Sequence, residues 1–209
     1  MKKLIAALVL ISLAVGSMSI CLAASTASVG IQATVPEQLE LVSWIRYAPP
    51  GVDPYGTGSG DATSLDFGTL VFDDTYNIWK PTRYFTVFLL ASSSGRKYRI
   101  QQTNIGFSLG ATDLNNSLIV TPDYQSGDEI VTGTSQGSMP GGDSYGAKDL
   151  ALGVNKVVYN GNSGLSRIVR AYYGLATGES GEPTGAEPIT ADQLSGTYSG
   201  TVTFSAVLQ

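Results

Sequence analysis

Histidine is missing from the chain altogether, and cysteine occurs once, as Cys21. The first absence excludes Ser-His-Asp and Cys-His nucleophiles and any zinc or iron site that relies on imidazole. The second leaves everything after residue 21 without a thiol, so no disulfide can brace it even in an oxidising compartment. Charge is sparse, at 14% of residues, and basic residues are the scarcer sign, with 12 Lys and Arg against 17 Asp and Glu. Helical periodicity is nearly absent as well.

What is present begins with a leader. Lys2 and Lys3 precede "LIAALVLISLAVG" and then "SMSICLAAS", the basic, apolar and small-residue regions of a secretory signal peptide. Cleavage after Ala23 or Ala24 fits best, so residues 1–24 are read as the signal peptide and the mature chain as exported. The apolar run is short for a membrane span, and Ile20 before Cys21 does not suit lipid attachment. No membrane insertion of the mature chain is expected. Losing Lys2 and Lys3 takes the balance from 12 basic and 17 acidic residues to 10 and 17, a net charge of −7. That argues against a nucleic-acid partner or an anionic membrane surface. About 185 residues remain, enough to bury one core without covalent staples.

Short β-type runs alternate with turn-rich stretches. "QLELVSWI" (38–45) precedes a Gly/Pro loop over 46–63, and "SLDFGTLVF" (64–72) comes next. "RYFTVFLLAS" (83–92) is apolar on both faces, as a central strand would be. "SSGR" predicts a hairpin into "KYRIQQT" (97–103). "SLIVTP", "DEIVTG", "NKVVYNG" and "SRIVRAYYGLA" (166–176) read as further strands, with surface loops over 133–147 and 177–188. About eight short strands with turns between them predict an all-β, immunoglobulin-like antiparallel sandwich.

No motif carries catalysis. Ser94–Lys97 has the S-x-x-K spacing of serine–lysine acyl enzymes, but that chemistry needs a helix, and here the four residues join two strands. Asp53, Asp61, Asp66, Asp73 and Asp74 could supply loop carboxylates to Ca²⁺, yet match no repeat motif. No pair of carboxylates stands out for glycoside hydrolysis. "GTGSG" (56–60) lacks the lysine and the strand-to-helix setting of a phosphate loop. Tyr47, Tyr55, Tyr124 and Tyr145 lie in or near loops, where a lectin-like module could stack sugars. The chain is read as non-enzymatic, with no cofactor and no metal.

The two ends stand out instead. In "ASVGIQATVP" (27–36), Val29, Ile31, Ala33 and Val35 alternate with small or polar residues until Pro36 stops the pattern. In "GTYSGTVTFSAVLQ", Tyr198, Gly200, Val202, Phe204, Ala206 and Leu208 share one face of a long final strand. If no strand comes after it, its edge is open and its apolar face borders an uncovered groove, which is an association site. The arm 25–36 of another copy could fill it. Residues 25–35 span about 35 Å when extended. Burying the four alternating side chains would contribute on the order of 5–10 kcal/mol, an upper estimate. Repeated head to tail, such a contact does not close and makes a fibre.

These residues resemble a family. "ASVGIQATVPEQLEL" is similar to the N-terminal arm of chaperone–usher pilins, especially the alternate fimbrial type. "SLDFGTL" (64–70) resembles a segment of the spore coat protein U family, related to archaic pilins, and "GTYSGTVTFSAVLQ" resembles the closing strand of both. Unlike archaic pilins, the mature chain has no cysteine. The resemblance implies an incomplete sandwich over 37–209 that lacks its last strand, with 25–36 as a donor-strand arm. By match of position, Val29, Ile31, Ala33 and Val35 would be donor residues and Pro36 the strand boundary. Tyr198, Val202, Phe204, Ala206 and Leu208 would line the acceptor groove. The implied partners are other copies in a filament, a periplasmic chaperone and an outer-membrane usher. The implied location is the cell surface, as a pilus or fimbria. A lectin-like or other secreted binding module, and a coat or matrix fibre assembled without an usher, remain the alternatives.

Overall fold

A computed structural model describes residues 32–34, 38–123, 149–161 and 164–209. The chain divides into two units, Met1–Thr34 and Val35–Gln209. Of the first, only residues 32–34 are described, and they are exposed and outside any strand.

The second unit is all-β and antiparallel. In chain order its strands are β1 (Glu40–Ala48), β2 (Gly60–Ala62), β3 (Val71–Asp73), β4 (Ile78–Lys80), β5 (Tyr84–Ser92), β6 (Tyr98–Leu109) and β7 (Thr112–Asp113). They continue with β8 (Leu118–Asp123), β9 (Asp149–Leu150), β10 (Gly153–Gly161), β11 (Arg167–Leu175), β12 (Ile189–Thr190) and β13 (Ser199–Leu208). Among the described residues there is no helix. The large sheet runs β2-β1-β5-β11-β8-β9. A second runs β10-β6-β13, with β7 beside β6, and a small third runs β12-β4-β3.

The apolar alternation explains how the sheets pack. On β5, Phe85, Val87, Leu89 and Ala91 point into one core with Val169, Ala171, Tyr173 and Leu175 of β11. Tyr98 and Ile100 of β6 and Val158 of β10 enter the same core from the second sheet. The layers are those a β-sandwich has. The other face of β5 is covered too: Tyr84 joins Ala48, Ile119, Tyr172 and Ala176 in a smaller cluster. Apolar side chains on both faces therefore go with a strand flanked on both edges, by β1 and β11.

Three sequence expectations change. "SSGR" is a turn but not a hairpin. Both edges of β5 are taken, and β6 pairs with β10 and β13 instead. The turn therefore arches from one sheet to the other. Ser94 and Gly95 adopt φ of 50° and 83° there, and Arg96 N donates to Ser93 O at 3.0 Å. Of "SLDFGTLVF" only Val71 and Phe72 enter a strand. Asp66 Oδ1 accepts a bond from Gly68 N at 2.9 Å, and Gly68 sits at φ 67°. An Asx turn of this kind draws backbone away from a ladder. The stretch 46–63 is not all loop: β1 continues to Ala48 and pairs with β2 through Arg46 and Asp61. "DEIVTG" and the loop 133–147 lie outside the described residues.

Candidate functional site

β13 is an edge strand. Its inner edge pairs with β6 from Leu208↔Tyr98 to Ser199↔Ser108, and among the described residues no strand pairs with its outer edge. The ladder skips at one place. Gly200 faces Phe107 while Val202 faces Asn104, so the extra residue belongs to β6, where Ile105 is exposed. The bulge draws the backbones together. A Cβ on Gly200 would lie 2.0 Å from Gly106 O, so only glycine fits there.

Beside that edge a groove of about 930 Å³ opens into the core. Tyr198, Gly200, Val202 and Phe204 form one wall, and Leu65, Phe67, Leu70 and Trp79 line the other side. Phe67 meets Phe85 edge to face, with ring centroids 5.1 Å apart, and so fixes the floor. Tyr198 is held at the mouth. Its hydroxyl donates to Leu194 O at 2.8 Å and accepts from Gln193 Nε2 at 2.7 Å, while its ring meets Phe107 at 6.3 Å.

One polar link crosses the core under the groove. Tyr173 OH donates to Gln102 Oε1, and Gln102 Nε2 donates to Ala151 O at 2.9 Å. Burial pushes the Tyr173 hydroxyl pKa up. A neutral phenol in apolar surroundings suits a structural bond rather than proton transfer.

No protein-family model matches the chain. No curated protein matches it either.

The groove brings together part of what the sequence singles out. Tyr198, Val202 and Phe204 line it. Ala206 and Leu208 are half-buried on the same face of β13, past the end of the cavity. Ala33 is exposed, and Val29, Ile31, Val35 and Pro36 lie outside the described residues. Sequence reasoning misses the opposite wall. It assigns Leu65, Phe67 and Leu70 to a strand, although their apolar spacing is the signal that they face a core.

The other candidates are occupied by turns and ion pairs. Asp53 Oδ1 accepts from Tyr55 N at 2.9 Å, and Asp61 pairs with Arg46. Asp73 accepts from Thr75 N at 3.0 Å and pairs with Lys80 Nζ at 2.8 Å. The Lys80 bond holds the Asp73 carboxyl below its usual pKa. Among the described residues no three acidic side chains converge on a metal position. Ser94 lies in the inter-sheet turn, with Oγ accepting from Gln38 N at 3.1 Å. Arg46 covers the Tyr55 ring at 4.5 Å and Arg83 the Tyr47 ring at 5.3 Å. Tyr124 and Tyr145 lie outside the described residues.

Proposed function

We propose that the chain is an exported structural subunit of a surface fibre. Its immunoglobulin-like sandwich lacks one strand, which the N-terminal arm of the next copy supplies. The observation that carries this reading is the apolar groove lying directly beside the edge of β13 that no strand among the described residues pairs with. An exposed sheet edge with a hydrophobic trough is costly to leave in water and pairs readily with an added strand. A strand with one apolar face satisfies both needs at once. Backbone groups complete the ladder, and alternate side chains fill the trough.

The segment "ASVGIQATVP" has that pattern in the same chain. The resemblance to chaperone–usher pilins supplies the rest of the proposal: a periplasmic chaperone occupies the groove before assembly, and an outer-membrane usher exchanges it for the arm. The experiment is Ile31→Asp in the full exported chain. Polymers that survive detergent without boiling should disappear, leaving the subunit as monomer or chaperone complex. If the ladder of polymers persists, the donor-strand reading is wrong.

A further inference from the structure

Away from the groove, the large sheet buries a charge on its other face. Val169, Ala171 and Tyr173 of β11 point into the main core, so Arg170 and Tyr172 point the opposite way. Thr86 and Phe88 of β5 and Ile119 and Thr121 of β8 share that face with them. Arg170 is only 1% exposed. Its guanidinium lies 5.4 Å from the centre of the Phe88 ring, and Nη1 donates to Tyr172 OH at 3.1 Å. Among the described residues Nε and Nη2 have no hydrogen-bond partner, and no carboxylate pairs with the group. Arg46, two strands away on the same face, is fully engaged by contrast. It pairs with Asp61 and donates from Nε to Pro54 O at 2.7 Å.

The cover over this region is built. Trp44 lies flat on Phe88, with ring centroids 5.1 Å apart and planes 2° apart, and Tyr55 meets the same ring at 5.6 Å. Val52 and Ala186 pack against the cluster that holds Tyr172.

A guanidinium does not give up its proton, so burial cannot neutralise it as it would a lysine. A cation taken out of water without a counter-charge is strongly disfavoured, and one aromatic face offsets only part of that. The identity of the two unpartnered nitrogens is informative. Nε and Nη2 present parallel N–H bonds along one side of the planar group, the edge that takes two oxygens of an anion side by side.

Two threonines extend the donor set. Thr86 and Thr121 are fully buried, and neither Oγ1 has a partner. Thr86 faces Tyr172 from β5 and Thr121 faces it from β8. Each therefore stands diagonally across from Arg170, a separation that a long side chain bridges.

We propose that Arg170 binds a small oxyanion, a phosphate, sulfate or carboxylate group, on its Nε–Nη2 edge, with the hydroxyl of Thr86 or Thr121 as a further donor. The ion would brace β11 against its neighbours in a chain that has no disulfide to do so. This site does not depend on the fibre reading.

Equilibrium urea unfolding of the full chain tests it, because a chain that opens and refolds can load even a closed site. Sodium phosphate or sodium acetate replaces part of the sodium chloride at constant ionic strength. An anion at ten times its dissociation constant multiplies the folding constant about elevenfold, so the urea midpoint should rise along a saturating curve. A response to phosphate alone identifies a tetrahedral ligand, and a response to acetate a carboxylate. In Arg170→Met the curve should be flat. Thr86→Val and Thr121→Val keep the guanidinium, and at least one of them should raise the half-saturating concentration about tenfold or more. If neither does, the anion sits elsewhere and the assignment fails. An equal rise in Arg170→Met is a general salt effect and also overturns it. A wild-type midpoint unmoved by both anions overturns it too. Lost stability in Arg170→Met would then mean that a carboxylate of the chain itself neutralises the guanidinium, with Asp123 opposite it on β8.

Discussion

Phe204 and Tyr173 meet edge to face across the core, with ring centroids 6.3 Å apart at 76°. One ring lines the groove and the other is fully buried, so the wall of the open site leans directly on the centre of the fold. Phe204→Ala should therefore affect both. Stability should fall by about 2–3 kcal/mol, less than for a fully buried phenylalanine, read as a lower urea midpoint, and polymer yield should drop with it. Normal polymer yield despite the lost stability would detach the groove from assembly.

Tyr173 gives a pH prediction. Burial raises its pKa, so the folded protein keeps this proton where the unfolded chain, titrating near about 10, releases it. The stabilising contribution is complete below about pH 10 and declines as the pH rises beyond it. In Tyr173→Phe that decline should be shallower. The variant should also lose about 1–3 kcal/mol at neutral pH, because Gln102 Oε1 loses its donor in a buried place. Urea midpoints across pH 8–11 decide it, and identical slopes in the two proteins would refute the assignment.

Gly200→Ala should be severe for so small a change. The obstacle is the backbone carbonyl of Gly106, which cannot swing aside as a side chain would. A loss of about 3 kcal/mol corresponds to a melting point lower by about 6–12 °C for a domain of this size. Calorimetry showing a shift of under a degree would mean that β13 and β6 separate freely at the bulge.

The two faces of β13 should respond differently. Val202→Asp puts a carboxylate into the groove and should abolish polymers. Val207→Asp lies on the outward face, where Val207 is 36% exposed, and should leave them intact, with stability within about 0.5 kcal/mol. Equal loss of polymer in both, scored by negative-stain microscopy, would remove the face-specific argument.

Much of the fold is readable in the residues. "TVTFSAVL" alternates along β13 and forms a half-buried strand, and "YFTVFLLAS" is apolar on both faces and forms the covered centre of the large sheet. Misreadings arise where local pattern and tertiary pairing part. "SSGR" has the residues of a tight turn, but whether two strands joined by a turn pair with each other depends on which edges distant strands have taken. Asp66 and Gly68 interrupt a run of apolar residues that still reaches the core from outside any ladder. Half of the groove is legible for the same reason. Its β13 wall is periodic, while its opposite wall is a loop whose side chains converge only in three dimensions.

The arch at Ser93–Arg96 has a consequence in time. It delivers β6 to a sheet whose other members are still far down the chain. β10 begins at Gly153 and β13 at Ser199, about fifty and a hundred residues later. A chain emerging from its N-terminus would thus carry most of β6 with both edges bare until β10 arrives, and with its other edge bare until β13 does. Pairings at such separation are slow to close, and bare strand edges are what aggregation uses. The interval before closure is longest on the edge of β6 that β13 will cover, so the unfinished chain is most exposed to aggregation beside the place where the groove will form.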